Sequence, residues 1–243
     1  MMPDIYDDAD FFKKYSEMNR SKIGLAGAGE WPTLQKLLPD FQGKTVLDLG
    51  CGYGWHCIYA AEHGAKAVTG VDLSEKMLQV ARQKTTATNV TYQLADISKV
   101  NFPENTFDVV MSSLAFHYLK SFTQIAQSVQ RYLKPNGKFV FSVEHPIFTA
   151  NGTQDWVYDE NGKIKYFPVD HYFEEGQRTA NFLGTPVTKY HRTLTTYIEG
   201  LINNGFTIDH VQEPMPPKNM MDLPGMKDEM RRPMMLIIAA TKK

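Results

Sequence analysis

The sequence predicts an α/β fold with a mostly parallel sheet and helices on both faces. Short apolar runs typical of buried strands alternate with helical patterns over residues 44–145, and this alternation is typical of parallel sheets covered on both sides. A glycine-rich turn joins the first strand to a helix. The chain has 243 residues, of which 42% are hydrophobic, which suits one α/β domain with additions.

The first strand and its turn are the most informative part of the chain. An apolar run over residues 46–49 leads into three glycines at alternate positions, Gly50, Gly52 and Gly54, and a helix-compatible stretch follows at 56–63. Glycine can adopt a positive φ and lets a ligand approach the backbone closely. A strand, a glycine turn and a helix start together indicate a nucleotide-type cofactor site.

The spacing of the glycines distinguishes between cofactors. A dinucleotide site needs G-x-G-x-x-G, but the position of its third glycine is occupied by Trp55. This large side chain argues against an NAD-dependent dehydrogenase. Asp48 adds a carboxylate at the mouth of the turn, where it suits a ligand with a positive amino group. A purely structural turn in another α/β protein stays open at this point.

Acidic residues end the next two strands. The second strand, residues 66–74, carries Asp72 near its end, and Ser74 is a predicted N-cap for the following helix. An acid at this position is the usual acceptor for ribose hydroxyls. The third strand, residues 90–97, ends at Asp96. Ordered acids at strand ends favour a cofactor site over structure alone.

The remaining elements complete the sheet. We predict a fourth strand at 107–114, a helix at 121–133 and a fifth strand at 133–143. A late helix follows, with Gly205 as its stop. The last two strands are predicted at 206–211 and 234–240.

These motifs resemble the class I S-adenosylmethionine-dependent methyltransferases, in the type 11 group that includes quinone-biosynthesis enzymes. The resemblance covers about residues 44–143. It implies a Rossmann-like fold with a seven-stranded, mostly parallel sheet, with S-adenosylmethionine as cofactor and S-adenosylhomocysteine as product. It also implies that Asp96 accepts from the adenine amine and that Ile97 packs on the ring. The expected cofactor-binding residues are Asp48, Gly50, Cys51, Gly52, Gly54, Asp72, Leu73, Met77, Asp96, Ile97, Ser112, Leu114 and Tyr15.

Three further segments surround this cofactor half, which spans residues 44–145 of a methyltransferase domain at 44–243. Residues 1–43 are expected to form an N-terminal helical lid, with Tyr15 or Trp31 near the cofactor; a helix that only covers the domain is the alternative. Residues 146–190 are expected to form an inserted acceptor-binding cap, and residues 191–243 the C-terminal helix and strands.

The inserted cap is rich in aromatic residues and turn signals. Asn151-Gly152 and Asn161-Gly162 predict hairpin turns. Long loops of this kind are usually functional, although a hairpin that covers the sheet or forms a dimer contact is possible. A proline- and methionine-rich segment, 213–233, is expected to form a second wall, with a plain surface loop as the alternative. The expected substrate-binding residues are Trp156, Tyr172, Phe173, His191 and Arg192.

Methyl transfer is an in-line displacement that depends mainly on placing the two reactants and excluding water. A base is needed only if the acceptor must lose a proton. His117 and His145 are the best-placed catalytic candidates because each follows a strand end, and Glu144 and His191 are further candidates. The histidines lack a short ligand spacing, so no metal is predicted.

The charge and hydrophobicity of the chain limit the kinds of molecule and compartment that we expect for it. The formal net charge is −1, so no basic field attracts nucleic acid. No apolar run reaches the ~20 residues that span a bilayer, and the N-terminus lacks the features of a signal peptide. We therefore expect a cytoplasmic monomer or homodimer, with Cys51 and Cys57 reduced. It would methylate a small molecule; a non-catalytic or regulatory cofactor-binding protein and an RNA or protein methyltransferase are the alternatives.

Overall fold

A seven-stranded sheet forms the centre of the structure, a computed structural model that describes residues 5–243. Its strands occur in the order β10-β11-β5-β4-β1-β2-β3. The pairs β1–β2, β1–β4, β2–β3 and β4–β5 are parallel, whereas β11 pairs antiparallel with both β5 and β10. The predicted fold class is confirmed. The strands are β1 (Thr45–Leu49), β2 (Ala67–Asp72), β3 (Val90–Leu94), β4 (Phe107–Ser113), β5 (Leu133–Glu144), β6 (Val157–Tyr158), β7 (Ile164–Tyr166), β8 (Gly176–Phe182), β9 (Thr185–His191), β10 (Phe206–Gln212) and β11 (Met235–Lys242).

Helices cover both faces of this sheet. Side-chain caps begin several of them: the hydroxyl of Ser74 accepts from the Met77 backbone N–H at 3.1 Å, as predicted, and Ser121 caps the helix that follows it. The α-helices are α1 (Ala9–Ser16), α2 (Asn19–Lys22), α3 (Trp31–Leu37), α4 (Trp55–Glu62), α5 (Glu75–Lys84), α6 (Phe122–Tyr132), α7 (Pro146–Ala150), α8 (Leu194–Ile202) and α9 (Met226–Glu229). Short 3-10 turns lie at Ile5–Asp7, Gly24–Gly27, Phe116–Tyr118 and Lys218–Met220.

The apolar core lies on both sides of the sheet because its central strands are buried on both faces. One cluster joins α6 and α8 to the sheet, with Val129 and Leu201 fully buried against Phe141. On the other face, Cys57 of α4 packs with Val46 of β1. Burial of these apolar side chains is the main source of the fold's stability.

Two hairpins form the inserted segment between β5 and α8. The hairpin β6–β7 turns at Asn161-Gly162, as predicted. The prediction for Asn151-Gly152 is wrong, because these residues follow the end of α7 and no strand precedes them. The second hairpin, β8–β9, turns instead at Leu183 and Gly184, both with positive φ.

Candidate active site

A cavity of about 1370 Å³ lies at the C-terminal ends of the parallel strands. The turns after β1, β2 and β4 all contribute to its lining, as do Asp96 and Ile97 beyond β3. Ligands of open α/β sheets bind at this edge. The N-terminal segment, the β8–β9 hairpin and residues 214–235 complete the walls.

The glycine turn after β1 takes its shape from three positive φ angles: +79° at Gly50, +52° at Gly52 and +75° at Gly54. A Cβ added at Gly50 would lie 2.4 Å from the Cβ of Ala115, and one at Gly54 would lie 2.2 Å from the hydroxyl of Tyr92. A Cβ at Gly52 would meet no atom within 4 Å. Gly50 and Gly52 line the cavity, whereas Gly54 does not. Close packing against Tyr92 therefore explains why position 54 needs a glycine. At Gly52, by contrast, there is room for a ligand beside the backbone.

Asp72 at the end of β2 holds this turn and also lines the cavity. One carboxylate oxygen accepts from the Gly52 backbone N–H at 2.8 Å, and the other accepts from the Ser74 N–H at 3.0 Å. Both carboxylate oxygens therefore hold the backbone of neighbouring turns at the edge of the cavity. Leu73 and Met77 line the same side of the cavity.

Asp96 and Ile97 lie together at the edge beyond β3, and both line the cavity. Asp96 accepts from the backbone N–H of Ser98 at 2.9 Å and from its hydroxyl at 2.6 Å. Burial opposes ionisation, but these bonds and Lys99 at 3.1 Å hold the pKa of Asp96 below its usual range. A carboxylate beside an isoleucine suits a flat ring that carries an amino group.

Besides Gly54, two predicted cofactor residues, Asp48 and Ser112, lie outside the cavity lining. Asp48 is buried beneath the turn, where the Cys57 thiol donates to it at 3.4 Å. Burial raises the pKa of Asp48 to about 7, so its charged form is disfavoured. Ser112 is buried and donates to the Leu49 carbonyl at 2.7 Å. The next residue, Ser113, lines the cavity instead.

The cysteines of this region are free. Cys51 lines the cavity and Cys57 lies beneath it, and no disulfide joins them.

Leu114, after β4, also lines the cavity. Its φ is +53°, and its N–H donates to the Ser142 carbonyl at 2.9 Å.

His117 is the predicted catalytic residue that the structure places in the cavity. It is buried, and its Nδ1 accepts from the Glu144 backbone N–H at 3.4 Å. Burial lowers the pKa of His117 to about 4, despite the nearby Glu144 carboxylate. The ring is therefore neutral at pH 7 and has its hydrogen on Nε2 when Nδ1 accepts. Such a ring is a hydrogen-bond donor and a weak base.

Glu144 lines the cavity next to His117. Its two oxygens accept from Lys189 Nζ at 2.6 Å and from Gln154 Nε2 at 2.7 Å. Burial opposes ionisation, but His117 and Lys189 keep the pKa of Glu144 below its usual range. Glu144 is thus an ion-paired carboxylate that stabilises this wall.

The chain is similar to known proteins in sequence and in fold. A family model described as a methyltransferase domain matches residues 47–141. A Listeria monocytogenes protein assigned to the S-adenosylmethionine-dependent methyltransferases is 58% identical and superposes with a TM-score of 0.87, over 90% of this chain and 99% of that one. An S-adenosylmethionine-dependent methyltransferase from Mesorhizobium loti is 43% identical with a TM-score of 0.84, over 90% and 100%. An uncharacterized Haemophilus influenzae protein is 37% identical over 98% of this chain and 96% of its own length.

The chain belongs to the class I S-adenosylmethionine-dependent methyltransferases of type 11. It is an enzyme that uses S-adenosylmethionine. The open space at Gly52 lets a ligand approach the protein backbone. The carboxylates of Asp72 and Asp96 can accept hydrogen bonds from hydroxyl and amino groups. These features fit S-adenosylmethionine. Phosphoethanolamine N-methyltransferases of plants match about half of the chain and about a quarter of their own length.

The second catalytic candidate of this methyltransferase, His145, lies outside the cavity lining. It caps α7, with Nδ1 accepting from the Ile147 N–H at 3.0 Å. Its Nε2 lies 2.7 Å from a Glu213 carboxylate oxygen, at ion-pair distance but outside hydrogen-bonding geometry. Both nitrogens therefore serve local structure at the start of the helix.

The five predicted substrate-binding residues also lie outside the cavity lining of the methyltransferase. Trp156 packs edge-on against Phe167 and beside Arg232. The hydroxyl of Tyr172 accepts from the Leu194 N–H at 3.1 Å, and Phe173 is 89% exposed. These three aromatic side chains therefore pack on neighbouring groups or face solvent.

His191 and Arg192 are buried with their polar groups used in structure. His191 bonds to the Thr149 hydroxyl at 2.8 Å and to the Tyr172 carbonyl at 2.9 Å. Arg192 donates to the carbonyls of Phe116 and Leu119. The second hairpin supplies the cavity lining instead, through Phe182, Pro186, Val187, Thr188 and Tyr190.

The N-terminal segment contributes residues to the cavity lining of the methyltransferase. Tyr15 lines it, whereas Trp31 packs against Tyr59 and contributes to the core. The first helix, α1, reaches the β8–β9 hairpin: Lys14 Nζ donates to the Leu183 carbonyl at 3.1 Å, and the Phe11 and Phe182 rings lie 5.7 Å apart. The sequence did not single out several other lining residues, because isolated polar residues in helical segments resemble surface positions. These lining residues are Tyr6, Arg20, Ser21, Glu30 and, in α4, His56.

The proline- and methionine-rich segment contributes another part of the cavity lining. Its lining residues are Pro214, Met215, Pro216, Met220, Leu223, Met226 and Glu229. Within residues 5–243, no group of three or more His, Cys, Asp or Glu side chains is arranged to hold a metal ion. In the same part of the chain, no helix is long and apolar enough to cross a membrane.

Proposed function

We propose that this methyltransferase transfers the methyl group to a small, partly apolar molecule. The observation that supports this proposal best is the size of the cavity together with its lining. Sites for one small ligand usually measure about 300–1,000 Å³, and this cavity measures about 1370 Å³. The surplus leaves room for an acceptor beside the cofactor.

The lining on the side away from the glycine turn supports an apolar acceptor. Phe182, Val187 and Met220 contribute apolar surface there, with His117 and Tyr190 as polar groups. Small-molecule sites are mostly apolar with a few polar groups that set orientation. Methionine side chains adapt to ligands of varied shape. This composition favours a small organic acceptor over a phosphate-rich polymer.

The covering of the cavity is the second argument. We propose that residues 1–43 act as a lid, of which residues 1–4 lie outside the described part. Contacts between Lys14 and Leu183, and between the hydroxyls of Tyr6 and Tyr118 at 3.1 Å, tie the segment across the cavity. A covered site excludes water, which assists displacement at a charged centre, and it leaves little room for a folded RNA or protein.

The residues then have distinct proposed roles. Bound S-adenosylmethionine supplies an activated methyl group on a positive sulfur. Asp72 accepts from the ribose hydroxyls, Asp96 accepts from the adenine amine, and Gly52 leaves space for the methionyl chain. His117 orients the acceptor by donating from Nε2, and positioning of this kind contributes much of the rate of a bimolecular transfer.

A screen for turnover tests the proposal. Methyl transfer is measured by release of S-adenosylhomocysteine with phenols, quinol precursors, small amines and carboxylates, and with tRNA and total protein as comparison acceptors. We expect turnover with small molecules. Robust methylation of RNA or protein without any small-molecule turnover would contradict the proposal, and binding of the cofactor without turnover of any acceptor would favour the non-catalytic alternative.

A matched pair of variants then tests the acceptor wall. Met215 lines the cavity and is 70% exposed, so Met215→Ala should cost little stability. We expect it to raise the acceptor KM and to leave the cofactor Kd unchanged. Met230→Ala, in the same segment but outside the lining, is the control and should change neither. An unchanged KM in Met215→Ala would place the acceptor elsewhere.

A further inference from the structure

Three buried polar atoms at one end of the cavity have no hydrogen-bond partner. They are Oε2 of Glu30, Nε1 of Trp55 and Oγ of Ser21, and all three residues line the cavity. Two other such atoms occur among the described residues, in His145 and Arg232, and both side chains have a carboxylate within ion-pair distance. Buried polar groups are nearly always satisfied, so a ligand is the natural partner of the first three.

Glu30 is the most demanding member of this set. It is 2% exposed, and its other oxygen, Oε1, accepts from the Arg20 guanidinium and lies 3.5 Å from the Ser113 hydroxyl. A buried carboxylate needs bonds to both oxygens because its desolvation is costly. Oε2 therefore lacks a donor.

The other two members lie next to the glycine turn. Trp55 directly follows Gly54, and a Cβ at Gly24 would lie 3.0 Å from the Trp55 ring. The N-terminal segment is thus packed on Trp55 through the turn that follows Ser21. Burial raises the pKa of Tyr15 in that segment. The charges of Arg20, Asp72 and Glu30 lie close enough to Tyr15 to affect that pKa as well.

The chemistry of the set is that of a site for a zwitterion. Ser21 and Trp55 present unused donors, Arg20 presents a cation, and Glu30 presents an unused anionic acceptor. The Arg20–Glu30 pair has no net charge, which matches a ligand end that has one ammonium and one carboxylate group. The methionyl end of the cofactor is an α-amino acid of this kind.

We propose that the N-terminal segment and Trp55 recognise the α-amino-acid end of the cofactor. Glu30 accepts from the ammonium group, and Arg20, Ser21 and Trp55 donate to the carboxylate. A cofactor fragment without that end would bind to the remaining site alone.

Calorimetry with two ligands tests this inference without any acceptor, so its outcome is independent of the proposed substrate class. S-adenosylhomocysteine has the amino-acid end, and 5′-methylthioadenosine has the same adenosine and thioether without it. The variants are Glu30→Gln, Trp55→Phe and Ser21→Ala, which keep the approximate shape of each side chain. Glu62→Gln, exposed at the end of α4 and outside the cavity lining, is the control.

We expect Glu30→Gln to weaken S-adenosylhomocysteine at least about tenfold, as for loss of a bond to a charged group. Trp55→Phe and Ser21→Ala should weaken it less, and 5′-methylthioadenosine should bind all variants within about twofold of the unchanged protein. The control should bind both ligands normally. Equal weakening of both ligands would overturn the inference, because it would indicate a general distortion of the site. Unchanged binding of S-adenosylhomocysteine by Glu30→Gln would overturn it as well.

Discussion

Alanine at Gly52 should separate cofactor binding from folding. Gly52 has φ +52°, and its added Cβ would meet no protein atom within 4 Å. The cost to the fold is therefore only the left-handed backbone, about 1–2 kcal/mol for a non-glycine residue. For a chain of this size, that corresponds to a fall in Tm of roughly 2–8 °C. The native state should survive, since domains have about 5–15 kcal/mol of stability.

The effect on the ligand should be larger than the effect on the fold. The new methyl group would occupy the space that a cofactor needs beside the backbone, so we expect the Kd for S-adenosylhomocysteine to rise at least tenfold, equivalent to about 1.4 kcal/mol. Titration calorimetry measures the Kd, and a thermal melt measures the Tm on the same sample.

Gly43 provides the matched control for this variant. It has φ +71°, its added Cβ would also meet nothing within 4 Å, and it lies outside the cavity lining. Gly43→Ala should lower the Tm by a similar amount and leave the Kd unchanged. If Gly52→Ala binds as tightly as Gly43→Ala, the turn is not the cofactor cradle and the reasoning fails.

Three further results are expected. Asp72→Asn, which can still accept from the Gly52 N–H, should weaken S-adenosylhomocysteine by about 1.5–3 kcal/mol in calorimetry; a Kd within twofold of the original would exclude the ribose assignment. His117 has a folded pKa of about 4, below its ordinary value, so the unfolded chain binds more protons between pH 4 and 6.5. The free energy of unfolding should fall by about 3 kcal/mol as the pH drops through this range, and denaturant titrations of His117→Gln should show a flatter profile; an equal slope would show that the ring is not neutral and buried. Lys189→Met should lower the free energy of unfolding by about 3–5 kcal/mol because it leaves Glu144 buried without its cation, and Lys189→Met combined with Glu144→Gln should recover much of the loss; no recovery would mean that the ion pair is not the cause.

The sheet and the cofactor edge could be predicted because their signals are local. Strand periodicity, the glycine turn and the acids Asp72 and Asp96 each lie within a few residues of the element that they define. Cavity placement was also predicted for Met77 and Tyr15. The exact depth of a side chain was not predictable: Asp48 and Ser112 lie within two residues of the lining residues Gly50 and Ser113, but they are buried.

The acceptor side was predicted less well because it depends on how distant segments pack. Composition singled out Trp156, directly before the first hairpin, and Phe173, between the two hairpins, yet the second hairpin lines the cavity. The second hairpin contacts α1 through Lys14 and Phe11. No pattern in the neighbouring sequence predicts these contacts. Arg20 and Glu30 were missed for the same reason, since ten residues separate them and only the folded chain shows that they pair.

The position of β11 has a consequence for how the enzyme forms. This strand lies between β5 and β10, and its Ile237 and Ala239 share one apolar cluster with Trp31 and Leu34, about 200 positions earlier. Contacts between such distant parts of a chain slow folding, because a long loop must close before they form. Ala28 belongs to the same cluster and also lines the cavity. The parallel half of the sheet can therefore pair early, whereas a cavity able to hold its ligands forms only after residues 235–242 have been synthesised and inserted.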